Sequence, residues 1–197
     1  MKGYWLLVPT VAAYATRVLR IPLAGWSVTG EAQGVGPVTC RRYWIDIASP
    51  RRPDTEVIDL MLQRLPHMIP PVLAAFRRVR RGREPTRVGD RFTVLMLGMR
   101  RGRVQVVEVG STHFRLQTLR QHSESGWIAF RSEPLPADGY RLMVVSQVRA
   151  SSWYDRVTYL LGVGILQRMT WESGLRRALK LSGGRKAGHG TSTVEWP

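Results

Sequence analysis

A histidine and a carboxylate stand two residues apart in a polar stretch near the middle of the chain. The sequence LRQHSESGWIAFRSE, residues 119–133, places His122 and Glu124 just before an apolar run. Histidine can act as a general base near neutral pH, and a neighbouring carboxylate can determine which ring nitrogen carries the proton. Tyr140 and Arg149 lie on the next predicted strand, where they could transfer a proton or stabilise charge. These four side chains are the candidate catalytic residues.

The same stretch also has the composition of a solvated connection between two strands. Histidine, glutamate and two serines before a glycine are typical of such a turn. A nucleophile and donors for an oxyanion have no visible counterpart elsewhere in the sequence. We therefore favour a bend that shapes the mouth of a cavity and keep catalysis as the alternative.

Metal and nucleotide chemistry have little support in the sequence. No spacing of histidine, cysteine and carboxylate resembles a known metal site, because the histidines are widely separated at His67, His113, His122 and His189. The glycine-rich stretches GVGP and LSGGRK lack the residue order of a phosphate-binding loop and do not join a strand to a helix. We expect neither a metal nor a cofactor.

Charge is the extreme property of the composition. The 197 residues suit one domain, and 30 basic residues against 14 acidic ones give a formal net charge of +16. Charge of this sign attracts nucleic acid and anionic lipid. Aromatic residues are not interleaved with the arginine clusters as they are in single-strand binders, so we do not expect nucleic acid as the partner. A weak association with an anionic membrane stays open, and the sequence carries no signal for an oligomeric state.

The amino terminus resembles a targeting segment in part. Residues 5–15 are mainly apolar, follow Lys2 and end in an A-x-A pattern, whereas Pro9 and Arg17 are unfavourable for a signal peptide. A docking segment at a membrane surface is the alternative. Cys40 is the only cysteine, which excludes an internal disulfide. We expect a cytoplasmic protein, with a peripheral membrane location as the second possibility.

The periodicity of the remaining sequence predicts mixed secondary structure. Residues 1–37 form an irregular or helical lead-in, and residues 38–48 form a strand. A short amphipathic helix begins at Asp54 or Thr55 and ends before Pro66, and Pro70 starts another helical turn. Antiparallel strands then follow one another over RFTVLMLGM, RVQVVEV, HFRLQTL, GWIAFRSE and GYRLMVVSQVR.

The last part of the chain contains the longest helical pattern, over residues 151–181. Ser151 or Ser152 can cap this helix, and Gly162 and Gly164 predict a bend in it. Its apolar stripe is formed by Val157, Leu160, Leu161, Ile165 and Met169. Residues 183–197 are polar and glycine-rich, and we expect a flexible tail there.

Three stretches of the chain are distinctive: VGDRFTVLMLG, GRVQVVEVGSTHFRLQTLRQHSESGWIAF and the segment from Tyr140 to Gly184. Together they resemble an uncharacterised bacterial family that is grouped with the START and Bet v 1-like (SRPBCC) proteins. The most specific pieces are residues 118–130 and SSWYDRVTYLLGVGILQRMTW, although Gln121 stands where relatives often have glycine. The resemblance implies an α+β helix-grip fold over residues 38–182, in which a curved antiparallel sheet wraps on a long C-terminal helix.

The same resemblance implies a cavity between sheet and helix, but no catalytic residues. Our first hypothesis is therefore a protein that binds a small hydrophobic molecule, and the second is a cyclase or isomerase acting on an apolar, polyketide-like substrate. A basic adaptor for anionic membrane or nucleic acid is the third. The predicted ligand-binding residues are Trp127, Phe130, Met143, Trp153, Tyr159 and Met169, with Tyr140 and Trp171 nearby, and ordinary core packing is the alternative for each.

Overall fold

In the computed structural model, residues 26–79, 84–96 and 100–196 are described, without the side chains of residues 161 and 163. Within these ranges eight antiparallel strands form one sheet in the order β2-β3-β4-β5-β6-β7-β1-β8. The strands are β1 (Val35–Ala48), β2 (Ala74–Arg78), β3 (Arg91–Met96), β4 (Arg100–Val109), β5 (His113–Thr118), β6 (Glu124–Leu135), β7 (Gly139–Ala150) and β8 (Arg185–Trp196). The predictions for the first 25 residues and for the arginines at 80, 81 and 83 lie outside the described residues.

Four helices and two short turns complete the described part of the chain. A 3-10 turn, Glu31–Gln33, precedes β1, and a π-helical turn, Tyr159–Val163, interrupts the last helix. The helices are α1 (Asp54–Gln63), α2 (Leu65–Met68), α3 (Trp153–Thr158) and α4 (Gly164–Ser182). The first of these helices, α1, begins at Asp54 and ends before Pro66, as the sequence predicts, and Pro66 lies in the first turn of α2, where its missing N–H costs no helical hydrogen bond.

One face of the sheet, here called the inner face, forms the core together with the helices. Side chains alternate between the faces of a strand, and the register aligns Phe114 with Phe130, Phe130 with Val144 and Val144 with Tyr43 in one inward row. The Phe114 and Phe130 rings stack at 4.5 Å between centroids, and Trp171 of α4 meets Phe130 edge-on at 5.8 Å. This alternation determines which residues can reach a cavity beneath α4.

Two predicted segments have a different structure from the one expected. The polar tail is strand β8, which pairs with β1 from Ala48–Arg185 to Val38–Trp196, so the expectation of a flexible tail over 183–197 is wrong. Backbone hydrogen bonds to a long edge strand hold it, and its mostly exposed side chains give no hydrophobic signal. At Pro70 the predicted helical turn forms, because the N–H groups of Leu73 and Ala74 donate to the Pro70 backbone oxygen at 2.9 and 3.1 Å, but it goes no further: Ala74–Arg78 form β2 and pair with β3.

The last helix is capped and bent as the sequence predicts. The Ser152 hydroxyl accepts a hydrogen bond from the Asp155 N–H at 3.2 Å, and Gly162 has φ 123°, a conformation that favours glycine. The members of the predicted apolar stripe whose side chains are described are not buried, however: Leu160 is 73% exposed and Ile165 is 69% exposed. The buried side of α4 is instead formed by Thr170, Trp171, Gly174, Leu175 and Ala178. The break at Gly162 resets the helical phase, so spacing counted across it does not follow one face.

Candidate ligand site

A cavity of about 90 Å³ lies between the inner face of the sheet and α4. Strands β2 to β6, the turn before β6 and one side of α4 contribute to it. Its lining consists of Leu73, Ala74, Phe76, Val94, Met96, Val104, Leu116, His122, Ser123, Glu124, Ile128, Leu166, Gln167, Thr170 and Trp171. Apolar side chains come mainly from the strands, whereas the polar ones come from the turn and the helix. The cavity is therefore apolar on the sheet side and polar along one edge.

His122 is buried in the turn between β5 and β6. Only 6% of the residue is exposed, and its Nδ1 lies 3.1 Å from both the backbone N and the backbone O of Glu124. The ring packs against Gly102, where an added Cβ would come within 2.5 Å of it. Burial lowers the pKa of His122, because the protonated ring loses its hydration, although the Glu124 charge acts in the opposite direction. The turn is thus not solvated at its histidine.

The Glu124 carboxylate does not orient the His122 ring. Its Oε1 accepts a hydrogen bond from Arg41 Nη1 at 2.8 Å, and its Oε2 accepts one from Gln167 Nε2 at 2.9 Å. The side chains of Arg41 and Glu124 are only 5% and 14% exposed, so this is a buried ion pair. The Arg41 guanidinium also lies 4.3 Å from the centre of the Tyr159 ring.

Two tyrosines next to this ion pair are held in the neutral form. Burial raises the pKa of Tyr43 to about 12, and burial likewise raises the pKa of Tyr159. The arginine therefore has Glu124 as its negative partner at neutral pH. The polar edge of the cavity consequently carries paired charges and uncharged side chains.

The structure brings together two of the four candidate catalytic residues. His122 and Glu124 both line the cavity, but Tyr140 and Arg149 do not. The Tyr140 hydroxyl donates to the Arg52 backbone oxygen at 3.2 Å, near the opposite end of β7 from Arg149. Arg149 lies one residue beyond the inward-facing positions of β7, so alternation turns it to the outer face.

The six predicted ligand-binding residues do not line this cavity. Alternation turns Trp127 and Met143 to the outer face, and Phe130 packs in the core behind Trp171. Trp153 is 64% exposed and Met169 is 46% exposed, while Tyr159 packs under Arg41. Of the eight aromatic and methionine side chains singled out from the sequence, all within the described ranges, Trp171 is the one that lines the cavity.

Sequence reasoning missed the smaller apolar residues and the helix polar group that form the site. Val104, Leu116 and Ile128 occupy inward positions of adjacent strands, and Gln167 lies on the sheet side of α4. The alternation in HFRLQTL carried this signal, because it puts Leu116 on the same face as Phe114. Nothing comparable identified Gln167, whose role depends on the position of Glu124.

Other kinds of site are not found in the described part of the chain. There, no three side chains of histidine, cysteine, aspartate or glutamate come close enough to hold a metal ion. Likewise, none of the described helices combines the length and hydropathy needed to cross a bilayer.

Similarity to known proteins is structural rather than sequential. No family model matches the sequence, and no curated protein is significantly similar to it. The structure is similar to norcoclaurine synthase from Thalictrum flavum in complex with dopamine and hydroxybenzaldehyde, with a TM-score of 0.53 and 11% identity over 82% of this chain and 96% of that one.

Two further solved structures have comparable likeness. The di-domain ARO/CYC StfQ of the steffimycin biosynthetic pathway gives a TM-score of 0.53 and 13% identity, over 78% of this chain and 52% of that chain. A START superfamily protein from Mycobacterium smegmatis gives a TM-score of 0.49 and 15% identity, over 74% of this chain and 99% of that chain. At such low identity these likenesses concern the fold alone. The chain has the α+β helix-grip fold, an antiparallel sheet with a long C-terminal helix, which it shares with the norcoclaurine synthase and StfQ structures.

Proposed function

We propose that this protein binds a small, mainly apolar molecule in the cavity between the sheet and α4. The observation that carries the proposal is the cavity itself, whose sheet side is apolar and whose polar groups are gathered along one edge. Such a distribution is typical of ligand sites, because apolar surface supplies affinity and a few polar groups set orientation. The similar norcoclaurine synthase structure, which holds dopamine and hydroxybenzaldehyde, supports a small molecule as the ligand class.

The volume of the cavity restricts the ligand. About 90 Å³ is well below the roughly 300–1,000 Å³ of a pocket for a drug-sized molecule. Either one small end group is enclosed or α4 moves away from the sheet when a larger ligand binds. The break at Gly162, four residues before Leu166 of the lining, is a suitable hinge for that movement.

A cavity-filling variant tests this proposal. Ala74→Leu adds three carbon atoms to the lining from β2, whereas Ala129→Leu makes the same change on the outer face of β6. Binding is measured with N-phenyl-1-naphthylamine, an uncharged fluorescent probe that the basic surface does not attract. We expect at least tenfold weaker binding in Ala74→Leu and little change in Ala129→Leu.

Equal probe binding by the wild type and both variants would overturn the assignment to this cavity. Native mass spectrometry of freshly expressed protein supplies an independent measurement. A co-purifying apolar molecule that is retained by Ala129→Leu and lost from Ala74→Leu would identify the natural ligand class.

A cyclase or isomerase is the second candidate, and His122 favours it. This ring lines the cavity, and burial keeps its pKa below the ordinary value, so it is a neutral base near pH 7. Incubation with a linear poly-β-ketone, followed by mass spectrometry, tests the activity. Cyclised, dehydrated product from the wild type but not from His122→Ala, with probe binding retained, would support the enzyme; equal product from both would exclude His122 as the base.

The net charge supports only the third alternative, the basic adaptor. Several arginines are already paired with carboxylates, including Arg78 with Asp90 and Arg141 with Asp46. Co-sedimentation with anionic vesicles at low and moderate salt tests a membrane role, since an electrostatic interaction weakens steeply with salt.

A further inference from the structure

Two side chains that line the cavity each carry a polar atom with no hydrogen-bond partner in the described part of the chain. They are Nε1 of the Trp171 indole and Oε1 of the Gln167 amide, and both atoms are buried. The Trp171 residue is only 5% exposed, so water outside the protein cannot serve its N–H. Because buried polar groups nearly always have a partner, each such atom requires an explanation.

The orientation of the Gln167 amide follows from its surroundings. A carboxylate only accepts hydrogen bonds, so the amide NH₂ must face Glu124 Oε2, which lies 2.9 Å away. Glu124 is held in turn by Arg41 at 2.8 Å. Flipping the amide would break a charge-assisted hydrogen bond, and Oε1 therefore stays turned away from Glu124.

The two unpaired atoms are chemically complementary, and their residues are neighbours on α4. Gln167 and Trp171 are four residues apart on α4, so they lie one turn apart on the same side of the helix, and both line the cavity. The indole N–H is only a donor, and the amide oxygen is only an acceptor. A bound group that accepts from the first and donates to the second would satisfy both.

We propose that Gln167 and Trp171 bind a neutral hydroxyl group of an otherwise apolar ligand. A hydroxyl accepts and donates through one oxygen, whereas a ketone leaves the amide oxygen unpaired and an ammonium leaves the indole unpaired. A carboxylate would also bring a second negative charge near Glu124. The inference rests on the proposed ligand-binding function and adds the chemical class of the ligand. The remainder of the ligand would contact Val104, Leu116 and Ile128.

Three matched probes test the hydroxyl site: 4-propylphenol, propylbenzene and 4-propylbenzoate. We expect the phenol to bind at least about fivefold more tightly than propylbenzene, because it pairs buried polar atoms that otherwise have no partner. The benzoate should bind more weakly than the phenol. Affinities are measured by competition with N-phenyl-1-naphthylamine.

Substitution of the indole separates this site from general apolar binding. In Trp171→Phe the preference for the phenol over propylbenzene should disappear while propylbenzene still binds, and Trp127→Phe on the outer face should keep the preference. In the wild type, the ¹H–¹⁵N signal of the Trp171 indole should shift downfield with the phenol. The signal is assigned by its loss from the spectrum of Trp171→Phe, and the shift itself is read on the wild type.

Three results would overturn the inference. Equal binding of phenol and propylbenzene, with an unmoved indole signal, would mean that only water satisfies these atoms, and ligand binding itself would stand. A phenol preference that survives Trp171→Phe would place the hydroxyl elsewhere. If none of the probes displaces the dye, the ligand-binding function fails together with the hydroxyl site.

Discussion

The Arg41–Glu124 ion pair allows a quantitative prediction for Glu124→Gln. The substitution keeps the shape of the side chain and removes its charge. The Arg41 side chain, which is only 5% exposed, is then left without a negative partner. Two unit charges about 4 Å apart interact by about 4 kcal/mol at an effective dielectric constant near 20, and breaking a buried pair typically costs about 3–5 kcal/mol. Because the amide still accepts a hydrogen bond from Arg41, we expect a loss of about 3 kcal/mol in the free energy of unfolding.

Urea denaturation, followed by tryptophan fluorescence and circular dichroism, measures this loss. Glu56→Gln is the matched control, because Glu56 pairs with Arg52 on the surface of α1, with both side chains about half exposed. We expect the control to lose less than about 0.5 kcal/mol.

A double-mutant cycle decides whether the two charges are coupled. Arg41→Met combined with Glu124→Gln should lose at least about 2 kcal/mol less than the two single changes together, since neither buried charge is then left alone. A Glu124→Gln protein within about 1 kcal/mol of the wild type, or additive losses in the cycle, would refute the reasoning.

Three further predictions concern the turn, the sheet and the helix. The folded-state pKa of His122 lies below its ordinary value. Below about pH 6.5 the unfolded chain therefore takes up a proton at this histidine that the folded chain resists. The contribution of His122 to the free energy of unfolding is thus fully present above that pH and is lost as the pH falls. Between pH 7 and 5, His122→Gln should therefore lose less stability than the wild type. The difference in slope should be up to about 1.4 kcal/mol per pH unit. Identical acid dependence of the two proteins in urea titrations would contradict this. Gly126→Ala should cost about 3 kcal/mol, because φ is 145° and the new Cβ would lie 2.1 Å from the Gln147 backbone oxygen. Gly89→Ala is the control, since its φ is 92° and no atom lies within 4 Å of the new Cβ. It should cost about 1–2 kcal/mol from backbone strain alone. Equal losses in thermal melts of these two variants would exclude the close contact as the cause. Leu160→Ser should change stability by less than about 0.5 kcal/mol because the side chain is 73% exposed, and a loss above about 2 kcal/mol would mean that it is buried.

Much of the fold follows from local sequence patterns. The strand series from Arg91 to Ala150, the cap at Ser152 and the break at Gly162 were all predicted and are all present. These features depend on side-chain alternation, on a hydroxyl one turn before a backbone N–H, and on the freedom of glycine. Each of them acts within a few residues, so the sequence alone reveals it.

The candidate site was predictable only in part. His122 and Glu124 were identified from their types and spacing, and both line the cavity. The choice of large aromatic side chains for the remainder was less successful, because side-chain size does not indicate which face of a strand a residue occupies. Trp127 and Ile128 are adjacent in the chain but point to opposite faces of the sheet.

By itself, the sequence determined the strand series from β3 to β7, the first helix, the polar turn and the bend in the last helix, since these depend on neighbouring residues. Tertiary structure decided that Arg185–Trp196 pair with β1, that Glu124 binds Arg41 rather than orienting His122, and that Gln167 and Trp171, each with a buried unpaired atom, line one cavity. In the first two of these contacts, partners that are 83 to 158 residues apart in the chain meet. Their pairing depends on sheet register and on the placement of α4, and short-range periodicity contains neither.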